Sequence, residues 1–82
     1  MAKKKGPTIP EAFAAVLRGL RAERNISQET LAFEAGVDKT YISLLERAAT
    51  QPTITKLFQL SEPLGVVPEE IIRRVREKVE NF

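Results

Sequence analysis

Cysteine and histidine are both absent from the 82 residues of this chain. The absence of cysteine excludes disulfides, a thiol nucleophile and a cysteine-ligated zinc site. The absence of histidine removes the commonest general base and the commonest metal ligand. Ser27 and Ser43 therefore have no histidine to activate them, and the four glycines are too dispersed to form a phosphate-binding loop. The sequence predicts a protein that is not an enzyme and that carries no cofactor and no metal.

Long apolar runs are also missing. The longest, Ala12 to Leu17, is far shorter than the roughly 20 residues that span a bilayer. The lysines Lys3 to Lys5 are not followed by an apolar segment, so they do not form a signal peptide. We expect residues 1–8 to be a flexible basic tail, and we expect a cytoplasmic protein with no membrane partner.

The chain also lacks a strong excess of charge of one sign, because its net charge is only +2. Residues 1–56 hold nine Lys and Arg against six Asp and Glu, which is +3, whereas residues 57–82 hold four against five, which is −1. The basic excess lies in the first part of the chain, as binding to a polyanion requires. It is too small to indicate such a partner without other evidence.

What the sequence does contain is a stretch, residues 27–47, with the signals of two short helices and a tight turn. Ser27 and Asp38 are good N-caps, because their side-chain oxygens can accept a backbone N–H of the first helical turn. Gly36, between them, can take the left-handed conformation that ends a helix. Each cap is followed by inward apolar positions: Leu31, Ala32 and Ala35, then Tyr41 or Ile42 and Leu45. This order of signals predicts a helix-turn-helix.

The same stretch resembles the lambda-repressor-like (Cro/C1, XRE) family of DNA-binding domains. The residues that carry the resemblance are Gln28, Leu31, Ala32, Gly36, Val37, Ile42, Leu45, Glu46 and Arg47. The run from Asp38 to Ser43, DKTYIS, is most similar to the controller proteins of restriction–modification systems. The resemblance covers roughly residues 10–66. It implies an all-α fold, a compact five-helix DNA-binding domain in which helices 2 and 3 form the helix-turn-helix.

The first helix is predicted to start near Ile9, with Pro10 at its first position, and to end at Asn25 in a left-handed turn. The resemblance pairs Arg21 of this helix with Glu46 near the end of helix 3. Such a pair would be largely buried and bidentate, and would fix helix 1 against helix 3. The alternative interpretation is two unrelated surface charges.

The fourth helix is predicted to begin after Thr53 as N-cap and to reach Gly65. Its expected core side is Ile54, Leu57, Leu60, Ser61 and Leu64. Pro63 lies inside this segment and cannot donate a backbone hydrogen bond, so we expect the helix to stop or kink near Ser61–Glu62.

The fifth helix is predicted to open at Pro68 and to carry a narrow apolar stripe of the coiled-coil kind. The stripe consists of Ile72, Val75, Val79 and Phe82, broadened by Ile71. It can fold onto the core of its own chain, pack against a second copy, or do both, with Ile71 and Phe82 on the partner side. In the controller proteins that the chain resembles, the last helix forms the dimer interface. We therefore expect residues 9–66 to be the helix-turn-helix core and residues 67–82 to be a dimerisation helix.

The second helix of a helix-turn-helix enters the major groove, and its N-terminal side chains reach base edges. The predicted base-contacting residues are Lys39, Thr40, Ser43 and Leu44. The predicted contacts to the DNA backbone are Gln28, Tyr41, Arg47, Thr50 and Gln51. For Tyr41 a packing role is the alternative, and Lys3 to Lys5 are either solvated or laid along phosphates.

These features predict a transcriptional regulator that binds double-stranded DNA as a homodimer, on a pseudo-palindromic operator. We expect autoregulation through its own concentration, without a small-molecule effector. The alternative is an antitoxin-type helix-turn-helix module whose main partner is another protein. In that case the stripe of helix 5, or the face of helix 4 around Phe58, is the heteromeric interface.

Overall fold

A computed structural model describes residues 6–80, and these form five helices with no strand among them. The helices are α1 (Ile9–Arg24), α2 (Gln28–Ala35), α3 (Lys39–Glu46), α4 (Ile54–Leu64) and α5 (Pro68–Glu80). The predicted all-α fold with a helix-turn-helix formed by α2 and α3 is confirmed. The predictions made for Lys3 to Lys5 and for Phe82 concern positions outside the described residues.

The helix boundaries follow the capping residues. Ser27, Asp38 and Thr53 accept backbone N–H groups as N-caps, as predicted. Asn25, Gly36 and Gly65 end their helices with φ of 56°, 73° and 75°, also as predicted. These polar and left-handed caps satisfy backbone groups that the helix ends leave without partners.

Helix α1 begins at Ile9, as predicted, but the position of Pro10 within it differs by one. Thr8 is its N-cap, so Pro10 is the second helical residue and not the first. The hydroxyl of Thr8 accepts the Glu11 N–H at 3.2 Å, and the Glu11 carboxylate accepts the Thr8 N–H at 2.9 Å. This reciprocal capping box has a sequence signature, Thr followed three residues later by Glu.

The core is organised around α1, which packs against α3, α4 and α5, while α2 packs against α3 and α4. The largest side chains that are completely buried come from all five helices: Leu17, Leu20, Leu31, Ile42, Leu45, Leu60, Leu64 and Ile71. One apolar core therefore holds the helix-turn-helix and the terminal helix together.

Of the two outcomes predicted for Pro63, a stop or a kink near Ser61–Glu62, the stop is wrong, because α4 continues to Leu64. Pro63 is the next-to-last residue of the helix, so the missing N–H affects only its final turn. Gly65 then closes the helix, and its N–H donates to the Glu62 carbonyl at 3.0 Å. The predicted core position of Ile54 is also wrong, because 70% of this residue is exposed.

The terminal helix α5 folds onto the core of its own chain. Ile71 is 1% exposed and Val75 is 7% exposed, whereas Ile72 is 51% exposed. Ile71 and Val75, predicted for a dimer interface, pack inside their own chain, which is one of the packings expected for the stripe. The inward stripe has a spacing of four residues and ends at Val79, which is partly buried. Of the predicted stripe, Ile72 is left facing the solvent.

The segment after α3 contains a strained residue. Ala48 has a φ of +60°, in the left-handed region that disfavours residues with a Cβ. The strain accompanies the hydrogen bonds that close the helix, in which Ala48 and Ala49 donate to the carbonyls of Leu45 and Leu44 at 3.1 and 2.9 Å. The turn that follows α3 thus has a geometry that glycine would adopt with less strain.

Replacing Ala48 with Gly is expected to raise the free energy of unfolding by about 1 kcal/mol, because glycine relieves the left-handed strain. For a domain of this size that corresponds to a melting temperature higher by about 4–8 °C, measured by circular dichroism. Ala49→Gly is the matched control, since Ala49 is not among the residues with positive φ. It should be neutral or destabilising, and an equal gain in both variants would contradict this interpretation.

Candidate nucleic-acid interface

Helix α3 is fixed at its C-terminal end by a buried carboxylate. Glu46 is only 5% exposed. Arg21 of α1 binds it in a bidentate manner, with Nε 2.7 Å from Oε2 and Nη2 3.0 Å from Oε1. Arg21 also donates to the carbonyl of Ile26, in the turn before α2, at 2.9 Å. The pair that the resemblance implied is thus present in the structure.

Two further side chains complete this polar cluster. Gln28, the first residue of α2, donates to Glu46 Oε1 at 2.9 Å, and Arg18 donates to the Glu46 main-chain carbonyl at 2.5 Å. Gln28 was predicted as a DNA-backbone contact, whereas its amide is engaged here inside the protein. Arg18 was not predicted. Its position three residues before Arg21, on the same side of α1, was the signal available in the sequence.

The cluster keeps Glu46 ionised. Burial alone would raise the pKa of Glu46. Hydrogen bonds from Arg21 and Gln28, together with the positive charges of Arg21 and Arg18, outweigh burial and lower the pKa below its ordinary value of 4.5. The carboxylate is therefore charged at neutral pH and links α1, α2 and α3.

The opposite side of α3 carries the predicted base-contacting residues. Lys39 and Thr40 are exposed, and Ser43 and Leu44 are half-buried. These residues are spaced by one, three and one positions, which places them on one side of a helix. Ile42, Leu45 and Glu46 occupy the buried side. The helix thus presents an ammonium, two hydroxyls and one apolar side chain to the exterior.

The beginning of α3 is held by Asp38, whose carboxylate accepts the Thr40 N–H at 2.7 Å. This cap fixes the backbone from which Lys39 and Thr40 project. The helix is therefore anchored at both ends, by Asp38 at the start and by Glu46 at the finish.

The residues predicted to contact the DNA backbone flank this exposed side. Arg47 and Gln51 are exposed, and Tyr41 and Thr50 are half-buried. The ammonium of Lys56, in the first turn of α4, lies 5.8 Å from the centre of the Tyr41 ring. Burial raises the pKa of the Tyr41 hydroxyl, so it remains protonated at neutral pH. Sequence reasoning did not identify Lys56, because it lies 15 positions beyond Tyr41 in the chain.

Among residues 6–80, no group of acidic side chains is arranged to hold a metal ion. Within the same range, no helix has the length and apolar character needed to cross a membrane.

This geometry, a polar helix face anchored at both ends after a tight turn, defines a helix-turn-helix DNA-binding domain. The model of the helix-turn-helix family HTH_3 matches residues 17–78. The chain therefore belongs to this family, whose lambda-repressor-like (XRE) members are DNA-binding transcriptional regulators and not enzymes.

Controller proteins are found both among the similar proteins and among the similar solved structures. Control protein C.BamHI of Bacillus amyloliquefaciens is 36% identical over 61 residues, which are 73% of this chain and 75% of that protein. The restriction–modification controller protein C.AhdI from Aeromonas hydrophila is 34% identical, with a TM-score of 0.73 over 76% of this chain and 94% of its own. The predicted resemblance to this subgroup is confirmed.

The fold also occurs in another kind of regulator. The clp gene regulator ClgR from Corynebacterium glutamicum has a TM-score of 0.81 and 26% identity, covering 88% of this chain and 77% of its own. Similarity to these three proteins agrees with a role in transcriptional regulation.

Acidification is expected to destabilise the fold through Glu46. Its pKa is lower in the folded chain than its ordinary value of 4.5, so the unfolded chain binds the proton more readily. The stability that the carboxylate contributes is fully present above about pH 4.5 and is lost as the pH falls through the folded pKa. Urea titrations between about pH 6 and pH 3 should show this decline in the free energy of unfolding.

Glu46→Gln is the control, because it removes the charge and preserves the size. It should cost about 2 kcal/mol at neutral pH, since Arg21 loses its partner, and it should flatten the acid dependence. Glu70, whose pKa is lowered to about 2 by hydrogen bonds from Arg73 and Arg74, is part of a surface network. Added salt should therefore weaken the contribution of Glu70 to the free energy of unfolding more than it weakens the contribution of Glu46. If the free energy of unfolding of Glu46→Gln falls with pH as steeply as that of the wild type, Glu46 is not the source of the acid sensitivity.

Proposed function

We propose that this protein binds a pseudo-palindromic operator as a homodimer and regulates its own expression in the manner of a controller protein. The observation that carries this proposal is the exposed side of α3. Lys39, Thr40 and Ser43 project from a helix whose position is fixed by the buried cluster around Glu46. A rigid helix with a polar exposed side is what the major groove accommodates.

Each exposed side chain of α3 has a chemical partner on the base edges or phosphates of the major groove. The Lys39 ammonium can donate to O6 and N7 of guanine, and Thr40 can hydrogen-bond a base and offer its methyl group to a thymine methyl. Ser43, one turn later, can reach a base or a phosphate, and Leu44 can make only apolar contact. Each well-placed base contact discriminates by about 1–3 kcal/mol.

Contacts to DNA phosphates on either side of α3 would set the affinity of the protein for DNA and its register on the duplex. Arg47 is exposed directly after α3, and Thr50 and Gln51 follow in the segment before α4. Phosphate contacts of this kind position a protein on DNA without reading its sequence.

Dimerisation is supported by an apolar patch that residues 6–80 leave exposed. A groove of about 130 Å³ lies between the first turns of α1 and α4 and the middle of α5, and its floor includes Phe13, Leu57 and Val75. Three large exposed hydrophobic residues line the groove and form the apolar patch: Ile9 (53%), Ile54 (70%) and Ile72 (51%). Phe58, which is 59% exposed, lies one helical turn after Ile54 on α4. A second copy placed over this patch by a twofold axis would remove it from water.

A twofold axis also explains how a small domain could read a long site. One α3 helix spans only a few base pairs, whereas two related copies read half-sites roughly 34 Å apart. Occupancy of the operator would then depend on the concentration of the protein, because only the dimer spans both half-sites. This dependence supports an autoregulatory role.

Replacing both Lys39 and Thr40 with Ala is expected to abolish discrimination between the operator and other DNA. Fluorescence anisotropy on a duplex from the upstream region of its own gene should show an affinity at least about 30-fold lower, because two base contacts of about 1–3 kcal/mol each sum to at least about 2 kcal/mol. A scrambled duplex should be bound almost equally by the variant and the wild type.

The control variant is Lys78→Ala, which removes one exposed lysine from α5. It should retain the preference for the operator. Weak wild-type binding that is equal on both duplexes would favour the antitoxin-type alternative, in which the main partner is a protein.

Ile72→Glu is expected to raise the dissociation constant of the dimer at least tenfold, because it introduces a charge into the apolar patch. Sedimentation equilibrium measures this constant directly. The fold should be preserved, since half of Ile72 is already exposed.

Phe33→Glu is the matched control, because Phe33 is 86% exposed on α2, away from the patch. It should leave the association unchanged. A wild-type protein that remains monomeric at micromolar concentration, or an Ile72→Glu variant that associates normally, would contradict this interface.

A further inference from the structure

Lys56 occupies a position that local helix energetics disfavours. It is in the first turn of α4, next to the positive end of the helix dipole, where acidic residues are preferred. Three helices follow that preference, with Glu11 in α1, Glu29 in α2 and the pair Glu69 and Glu70 in α5. The first turns of α3 and α4 contain no acid, and contain Lys39 and Lys56 instead. Helix stability therefore does not explain either lysine.

Neither lysine has an acidic partner in the described part of the chain. The ion pairs between described residues involve Arg21, Arg73, Arg74 and Arg76, but neither of these two lysines. Lys56 instead places its ammonium 5.8 Å from the centre of the Tyr41 ring. That distance lies within the range of a cation–π contact, which orients an ammonium without neutralising its charge.

The contact brings a positive charge to the edge of the recognition helix. Tyr41 is the third residue of α3 and directly follows Thr40, which is exposed on the predicted base-reading side. Lys56 is half-buried, so its stem is packed while its charged end extends towards the ring. The ammonium of Lys56 on α4 therefore lies beside the first turn of α3, although Lys56 and Tyr41 are 15 positions apart in the chain.

We propose that Lys56, seated on the ring of Tyr41, binds a phosphate of the DNA backbone beside the half-site that α3 reads. The assignment rests on the proposed DNA-binding function and adds a contact from α4. An ammonium acts on phosphate as a compact point charge and needs no fixed geometry of its own. The aromatic ring supplies the positioning that the flexible lysine stem lacks. Lys56 is thus a residue that sets affinity and register, and Tyr41 positions it.

The test is the salt dependence of DNA binding by Lys56→Ala. Each phosphate contact contributes a slope of about −0.9 in a plot of log K against log salt concentration. Loss of Lys56 should make the slope shallower by about 0.9 per chain, or about 1.8 for a dimer. Affinity should fall by the same factor on the operator and on a scrambled duplex. Lys56→Arg should restore the wild-type slope, and Lys78→Ala should leave it unchanged.

The role of Tyr41 is tested by a double-mutant cycle. Tyr41→Phe keeps the ring, so Lys56→Ala should have its full effect in that background. Tyr41→Leu removes the ring, so the effect of Lys56→Ala should be reduced there. Circular dichroism melting of each variant verifies that the fold is retained.

The outcomes separate this proposal from the function on which it rests. A wild-type protein that prefers its operator, with the same slope and affinity in Lys56→Ala, would overturn the assignment of Lys56 alone. A loss confined to the operator would also overturn it, because that result indicates a base contact. A wild-type protein without any salt-dependent preference for the operator would overturn the DNA-binding proposal itself.

Discussion

The bidentate contact between Arg21 and Glu46 is the interaction on which the arrangement of the helix-turn-helix depends. It places a carboxylate that is almost completely buried at the junction of three helices, with partners from α1 and α2. The net stability of such a buried pair is small, because desolvation offsets much of the attraction. Its geometry is demanding, however, and it determines which side of α3 faces inward. The exposed side of α3 is therefore oriented by a contact on its buried side.

The helix α1 connects this polar cluster with the apolar core. Arg18 and Arg21 reach Glu46, while Leu17 and Leu20 are completely buried among side chains from the other helices. A rigid base for α3 is useful in sequence recognition, because a helix with several orientations would present its side chains to different base edges. The proposed dimer patch uses a different part of α1, its first turn, together with the first turn of α4 and the exposed side of α5.

Capping residues and glycine positions predicted most of the fold, because they act within a few residues of the chain. Ser27, Gly36 and Asp38 mark the boundaries that the structure has. The errors concern choices that depend on tertiary packing. Periodicity indicated an apolar stripe on α5 but could not determine its rotation: Ile71, expected on the partner side, is buried in the core, and Ile72 is exposed. The candidate site was predicted from a known family at α3, whereas Arg18 and Lys56 depend on contacts between distant segments.

The two sides of α5 have a consequence for how a regulatory threshold could evolve. Ile71 and Val75 complete the core of a single chain, and Ile72 projects from the other side of the same helix. A folded monomer can therefore exist before any association, protected from the degradation that removes unfolded chains. In the proposed dimer, substitutions at the outer side would alter the cellular dose at which pairing begins, while the inner side keeps the fold intact. Related chains would in this way acquire early or late switching times through one or two surface substitutions, without redesign of the domain.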